Sequence, residues 1–160
     1  IPFDKVVICA GVKTQKFRNK FRDNFRIYPV KGYSITIDLD DEISKSAAPH
    51  VSIKDDHNKI VSSRLGNRLR VAGTAELSGE NKEVREERIT PLIEWVNNCF
   101  PEVNTENIIT WAGLRPMTSD MVPIMRESKR KNVFYNSGHG HLGWTMGAFA
   151  GKFISDLIED

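Results

Sequence analysis

The chain has 160 residues, enough for one domain or for two small lobes. With 39% hydrophobic and 28% charged residues it has the composition of an ordinary globular protein. The net charge of +2 indicates no general affinity for nucleic acid or membranes, and no apolar run approaches the roughly 18 residues of a membrane-spanning helix. No signal peptide is visible, which favours an intracellular protein.

The first predicted element is an apolar strand, Lys5–Ala10 (KVVICA), that runs directly into Gly11. A run that is apolar on both faces is typical of a buried parallel strand, and such a strand needs neighbours. Because the chain does not begin with Met, and because its first and last strands alone cannot form that sheet, we expect a carboxy-terminal piece of a longer protein. Cys9 and Cys99 lie in apolar contexts and are expected to be buried free thiols.

Residues 14–26 contain five basic residues interleaved with Phe17, Phe21 and Phe25. The four-residue spacing of the phenylalanines predicts a helical or loop segment that docks one apolar face. We interpret the basic residues as a solvated face; a nucleic-acid-binding patch is the alternative.

Alternating and β-branched segments then predict an antiparallel meander of four strands. Gly66 and Asn67 form a two-residue hairpin turn between the last two of them. The predicted strands are Tyr28–Leu39, Val51–Ile53, Ile60–Arg64 and Arg68–Thr74.

From residue 79 to residue 100 the apolar residues recur at helical spacing. Thr90 and Pro91 predict an interruption, with Thr90 capping a second helix and Pro91 at its first position. Ile108–Ala112 is then predicted to be a strand that leads into the sequence GLRP at 113–116.

The last segment predicts a strand, a glycine-rich turn and a helix. Val133–Asn136 is the strand, and Gly138, Gly140 and Gly143 form the turn. The start of the helix offers free N–H groups and a positive dipole end, which suit a phosphate or a delocalised anion. The apolar face of the helix consists of Met146, Phe149, Ala150, Phe153, Ile154, Leu157 and Ile158.

The G-x-G-x-x-G pattern of this turn is not expected to be a dinucleotide fingerprint. That fingerprint requires a second parallel strand and an acidic residue after the helix, and the sequence stops at Asp160. The remaining interpretation is that the small residues of the turn let a ligand approach the start of the helix closely. Gly147 and Gly151 lie one turn apart, and we expect them to pack tightly against a neighbouring element.

Four segments together resemble the flavoprotein family of D-amino acid oxidases, glycine oxidases and D-amino acid dehydrogenases. They are VVICAG (6–11), YPVKGYSITI (28–37), WAGLRPMTSDMVPI (111–124) and YNSGHGHLGWTMGAFAGKFISDLI (135–158). The similarity covers nearly the whole chain in the same order. The amino-terminal half of the family, with its FAD-binding strand and helix, is missing from this sequence.

The resemblance implies an α+β fold. Its parts would be a mostly antiparallel substrate-domain sheet with helices, and the strands and C-terminal helix of an incomplete FAD-binding, Rossmann-like domain. Residues 1–25 would be an FAD-domain strand and its connection, and residues 26–107 the substrate-binding domain. Residues 108–160 would return to the FAD domain through a strand end, the glycine loop and the C-terminal helix.

The resemblance also implies FAD-dependent oxidative deamination of D-amino acids to 2-oxo acids and ammonia. Electrons would pass to a quinone or another acceptor that is not oxygen. Glycine, sarcosine or hydroxyproline are alternative substrates, and a non-catalytic binding module or fragment is the alternative from another class. The expected partners are the D-amino acid, the missing N-terminal half and a quinone, without nucleic acid. The expected location is cytoplasmic, with peripheral attachment to the inner membrane as a second option.

Arg115 is the strongest candidate for substrate binding. A guanidinium can hold a carboxylate by two parallel hydrogen bonds, and the family's GLRP arginine binds the substrate carboxylate. A structural ion pair is the alternative role for Arg115. Tyr33 could hydrogen-bond the substrate or be a core aromatic of the sheet, and His141 is placed by resemblance beside the flavin or the substrate.

The resemblance places the glycine loop beside the flavin ring, where backbone N–H groups would stabilise negative charge. His139 is expected to brace that loop rather than to bind a metal with His141. The predicted cofactor-binding residues are Ala10, Gly11, Gly138, His139, Gly140, Leu142, Gly143, Trp144 and Thr145. Trp111 and Trp144 are interpreted as apolar walls or core, with core favoured for Trp111.

Overall fold

A computed structural model describes Pro2–Glu159, and the chain divides into two compact units. Unit 1 combines Ile1–Val30 with Leu114–Asp160, and unit 2 is Lys31–Gly113. The chain therefore begins in unit 1, passes through unit 2 and returns. The two passages lie within long strands, Tyr28–Asp38 and Ile108–Met117.

Strands and helices of both units are numbered in chain order. The strands are β1 (Val6–Ile8), β2 (Tyr28–Asp38), β3 (Ile53–Asp55), β4 (Ile60–Leu65), β5 (Arg68–Glu76), β6 (Ile108–Met117), β7 (Ile124–Glu127) and β8 (Val133–Ser137). The helices are α1 (Thr14–Phe21), α2 (Glu42–Ala47), α3 (Glu86–Cys99) and α4 (Gly143–Glu159). This mixture of helices and mostly antiparallel strands confirms the predicted α+β class.

Unit 1 contains a three-stranded sheet in the order β1-β8-β7. β1 pairs with β8 in parallel, with Val6 opposite Val133, and β7 pairs with β8 in antiparallel fashion. The predicted parallel pairing of the first strand is thus confirmed. Phe21 and Phe25 pack against the core of this unit, as their spacing predicts, whereas Phe17 is 39% exposed. The buried core residues are Ile8, Ile27, Ile124, Val133 and Tyr135.

A buried carboxylate joins the end of α1 to the β7–β8 hairpin. Asp23 accepts hydrogen bonds from the Ser128 hydroxyl at 2.6 Å, the Tyr135 hydroxyl at 2.7 Å and the Lys129 amide at 2.8 Å. Burial alone would raise the pKa of Asp23, but these donors and the charge of Arg126 outweigh it, so the pKa is lowered. The carboxylate is therefore a charged structural centre of unit 1.

Unit 2 is built on a five-stranded sheet in the order β3-β4-β5-β2-β6. The predicted antiparallel order is correct for β3, β4 and β5, including the turn at Gly66 and Asn67, although β3 is Ile53–Asp55 and not the predicted Val51–Ile53. β2 pairs with β5 instead of β3. The reason is the apolar face of β2, since Ile35 and Ile37 lie opposite Val71 and Leu69 in one buried layer. The helix α2, which the sequence did not predict, separates β2 from β3.

One continuous helix, α3, covers this layer, so the predicted interruption at Thr90 and Pro91 is wrong. Pro91 lacks an N–H group, but it lies on the exposed side, where the freed carbonyl can reach water. The hydroxyl of Thr90 donates to the Glu86 carbonyl at 3.1 Å. The other face of α3 contributes Ile89, Leu92, Trp95 and Val96 to the core.

The two cysteines are free but exposed, which corrects the prediction that they are buried. Cys9 follows the last paired residue of β1, and Cys99 is the last residue of α3, so neither reaches a core.

Within Pro2–Glu159, none of the helices combines the length and the apolar character that crossing a bilayer would need.

Candidate functional site

Two parallel strands of unit 1 end at the same edge of the sheet. β1 leads into Ala10 and Gly11, and β8 leads into the glycine loop, residues 138–143. Loops that follow the carboxyl ends of parallel strands are the usual ligand sites of such sheets. Here the Ser137 hydroxyl donates to the Gly11 carbonyl at 3.2 Å and accepts from the Thr14 hydroxyl at 2.9 Å. The two predicted cofactor-binding segments are therefore held side by side.

The end of β6 lies against the same loop. The Gly140 amide donates to the Pro116 carbonyl at 2.9 Å, and Met117 forms an antiparallel bridge with His139. Arg115 precedes Pro116 directly, so the GLRP strand end and the glycine loop are joined by main-chain hydrogen bonding. Because these two segments are far apart in the sequence, sequence patterns alone do not predict this contact.

Glycine is favoured at two positions of the loop by the backbone conformation and by the limited room for a side chain. Gly138 has φ +80° and Gly140 has φ +57°, in the left-handed region that favours glycine. A Cβ atom at Gly140 would lie 2.6 Å from the Met117 sulfur, and one at Gly138 would lie 2.9 Å from the Thr118 Cγ2 atom. The loop therefore approaches β6 as closely as its backbone permits.

The start of α4 presents main-chain donors. The Met146 amide donates to the Leu142 carbonyl at 2.9 Å and makes the first helical hydrogen bond. The amides of Gly143, Trp144 and Thr145 come before it and have no intrahelical acceptor. All three residues are exposed, and the Trp144 side chain is 99% exposed, so its apolar-wall or core role is not seen among the described residues. These donors suit an anionic or electron-rich oxygen.

Three predicted side chains of unit 1 differ in their surroundings. Arg115 is partly buried, and burial lowers the pKa of its guanidinium from its ordinary value, which still leaves a cation at neutral pH. Burial also lowers the pKa of His139, whose Nε2 atom is shielded and has no hydrogen-bond partner among the described residues. The imidazole of His139 is therefore neutral near pH 7. His141 is exposed.

Tyr33 lies in the core of unit 2, and only 1% of it is exposed. Its hydroxyl donates to Glu76 at 2.7 Å, and Glu76 also pairs with the fully buried Lys31 at 3.2 Å. The hydrogen bond from Tyr33 is the main reason why the pKa of Glu76 is lowered to about 2. The Tyr33 hydroxyl, which was predicted to bind substrate, is thus hydrogen-bonded inside unit 2. This agrees with the alternative that Tyr33 is a core aromatic of the sheet.

The outer face of α4 is open. An added Cβ at Gly147 or Gly151 would meet no described atom within 4 Å, so the predicted tight packing at these glycines is not made within Pro2–Glu159. Phe149 is 60% exposed and Phe153 is 41% exposed on the same helix.

In unit 2, Trp111 is 54% exposed beneath the Arg70 guanidinium, which corrects its assignment to the core.

Sequence patterns missed three residues that shape the loop. Ser137 joins it to Gly11, and Met117 and Thr118 form the surface on which Gly138 and Gly140 rest. Their positions at the ends of predicted strands were the available signal. Which strand ends meet depends on the sheet order and could not be obtained from that signal.

The chain matches one protein family over nearly its whole length. The family model described as DAO, FAD dependent oxidoreductase, matches residues 2–157. D-amino acid dehydrogenase 3 of Mesorhizobium japonicum is 51% identical over 156 residues, which are 97% of this chain and 38% of that protein. D-amino acid dehydrogenase of Granulibacter bethesdensis is 46% identical over 134 residues, 83% of this chain and 31% of that protein.

Solved structures show the same fold. Glycine oxidase from Bacillus cereus aligns with a TM-score of 0.83 at 27% identity, over 99% of this chain and 43% of that one. Iminodiacetate oxidase from Chelativorans has a TM-score of 0.86 at 24% identity, with the same coverage of 99% and 43%. The chain thus spans less than half the length of these relatives.

Proposed function

This chain belongs to the FAD dependent oxidoreductase family, and we propose that the protein containing it is a D-amino acid dehydrogenase. The proposed reaction converts the amine to an imine, which water hydrolyses to a 2-oxo acid and ammonia. A quinone or another acceptor that is not oxygen would receive the electrons. The identity of 51% to a protein named D-amino acid dehydrogenase supports this substrate class.

The observation that carries the proposal is the hydrogen bond from the Gly140 amide to the Pro116 carbonyl. It ties the strand end that carries Arg115 to the loop that precedes α4. A guanidinium for the substrate carboxylate and a row of main-chain donors for an electron-accepting ring would then belong to one rigid piece of unit 1. Rigid placement of this kind is what orientation of a reacting Cα–H bond requires.

The residues present fit a flavin on three counts. An added Cβ at Gly11 would meet no described atom within 4 Å, so a ligand can approach that strand end closely. The amides of residues 143–145 lack intrahelical acceptors, and the Nε2 atom of His139 is a shielded polar atom without a partner among the described residues. Ala10, Gly11, Gly138–Gly140 and Leu142–Thr145 would hold it, while the rest of the longer protein would bind its nucleotide part. When bound, FAD supplies the two-electron oxidant that takes the substrate Cα–H as a hydride.

The chain's own residues supply binding and electrostatics. Arg115 would fix the carboxylate by two hydrogen bonds, and amides at the start of α4 would stabilise negative charge that grows in the transition state. His141 would contact the substrate or the ring edge from the same loop. A substrate amine that enters unprotonated needs no base from these residues.

We further propose that unit 1 is part of the FAD domain and that unit 2 is the substrate-binding domain. The location would be cytoplasmic with peripheral contact at the inner membrane, where a quinone acceptor is available. Tyr33 is retained only as a residue that positions Glu76, because its hydroxyl is already bonded.

The test is a substrate panel on the intact protein with a dye acceptor. Turnover of D-alanine and other D-amino acids, with release of ammonia and slow reaction with oxygen, is the expected result. Glycine or sarcosine is the second candidate, favoured by the similarity to glycine oxidase at 27% identity, and faster turnover of these amines would replace the proposal. Absence of bound flavin from the intact protein would refute both.

A further inference from the structure

Two buried hydroxyl groups, here called the hydroxyl relay, connect the start of α1 to the end of β8. Thr14 is fully buried, and Ser137 is 3% exposed. The Thr14 hydroxyl donates to the Ser137 oxygen at 2.9 Å, and the Ser137 hydroxyl donates to the Gly11 carbonyl at 3.2 Å. Because a hydroxyl group has one proton to donate, Ser137 can bond Gly11 and Thr14 together only by accepting from Thr14. The relay therefore runs from Thr14 through Ser137 to Gly11.

The hydroxyl relay lies just beyond the end of the strand pairing. The parallel pairing of β1 with β8 stops at Ile8 and Tyr135. Gly11 belongs to one predicted cofactor-binding segment, and Ser137 directly precedes the glycine loop, which is the other. The ladder between β1 and β8 does not extend to these two segments, so the relay supplies the connection between them.

The Gly11 carbonyl is held by two donors, whereas the space beside Gly11 is open. Gly11 has φ +55° and begins a short 3-10 turn, and its carbonyl accepts from the Thr14 amide as well as from the Ser137 hydroxyl. In a planar trans peptide the N–H points away from the C=O, so fixing this carbonyl also fixes the direction of the Val12 amide. An added Cβ at Gly11 would meet no described atom within 4 Å. A ligand can therefore approach a main chain whose orientation is set from the protein side.

We propose that Thr14 and Ser137 are positioning residues for the flavin. They fix the main chain at Gly11 relative to the glycine loop, so that both segments meet the same cofactor in one arrangement. Both roles rest on the proposed function, since they require that these segments bind FAD. Neither hydroxyl contacts the reacting atoms, because the effect passes through the Gly11 carbonyl.

The experiment is titration of the flavin-free intact protein with FAD, followed by flavin fluorescence. Thr14→Val keeps the shape of the side chain but removes the hydroxyl, whereas Thr14→Ser keeps the hydroxyl and removes a methyl group. Thr14→Val should raise the Kd for FAD about three- to tenfold, the range expected for one lost hydrogen bond. Thr14→Ser should bind FAD within about twofold of the unmodified protein, because the relay is retained.

A role of Thr14 in packing alone predicts the opposite order. Loss of a buried methyl group would then be more harmful than loss of the hydroxyl, and Thr14→Ser would be the weaker binder. An equal Kd in the two variants, or a higher Kd in Thr14→Ser, would overturn the proposal.

Ser137→Ala removes the middle of the relay and should raise the Kd for FAD at least as much as Thr14→Val does. In the double variant T14V/S137A, the change at Thr14 should add less than about twofold, because residues that act through one another are not additive. Independent, multiplying effects of the two changes would show that Thr14 does not act through Ser137, which would contradict the relay.

The matched control is Ser128→Ala, which removes another buried serine hydroxyl of unit 1. Ser128 is 8% exposed and donates to Asp23, not to a predicted cofactor-binding segment. This variant should be less stable in urea but should bind FAD within about twofold of the unmodified protein. Equal losses of FAD affinity in Ser128→Ala and Ser137→Ala would assign the effect to general stability and refute the relay alone. Absence of FAD binding by the unmodified protein would refute the proposed function together with the relay.

Discussion

The Gly140 amide donates a hydrogen bond to the Pro116 carbonyl at 2.9 Å, and this contact joins two segments that are more than twenty residues apart in the sequence. One segment ends β6 and carries Arg115, and the other is the glycine loop that leads into α4. A side chain at residue 140 would force the Met117 side chain to move, because its Cβ would lie 2.6 Å from the Met117 sulfur.

The first prediction concerns Arg115. In the intact protein, Arg115→Ala should raise KM for D-alanine about ten- to a hundredfold, because hydrogen bonds to a charged group contribute about 1.5–3 kcal/mol. Bound flavin should remain, which its absorbance spectrum checks. Arg115→Lys keeps the charge but cannot form two parallel hydrogen bonds, so its KM should lie between those of the unmodified protein and of Arg115→Ala. An unchanged KM in Arg115→Ala would remove Arg115 from the substrate site.

The second prediction compares two glycines of similar conformation. Gly140 has φ +57° and Gly66 has φ +62°, but only Gly140 belongs to the candidate site. Gly66→Ala should lower the unfolding free energy by about 1–2 kcal/mol, since it places a Cβ in the left-handed region. Gly140→Ala should lower it by at least as much, because its Cβ would also lie 2.6 Å from the Met117 sulfur, whereas the space at Gly66 is open. Only Gly140→Ala should also lose flavin on dialysis. Equal flavin retention in the two variants would show that the loop does not contact the cofactor.

The third prediction concerns the buried carboxylate of unit 1. Burial, followed by the bond to Asp23, raises the pKa of Tyr135 to about 12, so its hydroxyl remains a donor throughout the neutral range. Tyr135→Phe should lower the unfolding free energy by about 1–2 kcal/mol because Asp23 loses one of its donors. Tyr28→Phe, at a residue that is 46% exposed, is the control and should change it by less than about 0.5 kcal/mol. Urea unfolding measures both, and similar values for the two would contradict the prediction.

The fourth prediction is a dependence of stability on pH in unit 2. The hydrogen bond from Tyr33, together with Lys31, lowers the pKa of Glu76 from 4.5 to about 2. A carboxylate with a lowered folded-state pKa stabilises the fold fully above its unfolded pKa and loses that contribution as pH falls toward the folded value. The unfolding free energy should therefore decline between about pH 4.5 and pH 2.

Glu76→Gln tests this assignment because the amide does not titrate in that range. The variant should be less stable at pH 7, and its stability should depend less on pH below 4.5. Thermal unfolding at a series of pH values measures both properties. Parallel curves for the two proteins would mean that another carboxylate is responsible.

Periodicity in the sequence was sufficient to locate most of the elements. Three segments were predicted because each pattern depends only on residues of the same segment. They are the alternating strand β2, the hairpin at Gly66 and Asn67, and α4 with its seven apolar positions. Local rules failed at Pro91, where one helix continues across a proline, since the helix's other face is held in the core by Leu92 and Val96. Tertiary burial outweighed the missing main-chain hydrogen bond at that position.

The sequence by itself determined the kinds of segments, the glycine-rich turn before α4 and the resemblance to FAD dependent oxidoreductases. The tertiary structure alone decided which strand ends meet: β1 beside β8, β2 beside β5, and the GLRP segment of β6 against Gly140. It also decided that the Tyr33 hydroxyl faces Glu76 and that Arg126 and Arg130 join the basic residues that begin in α1. Local patterns reflect the preferences of neighbouring residues, whereas strand order and buried polar contacts depend on residues that only folding brings together.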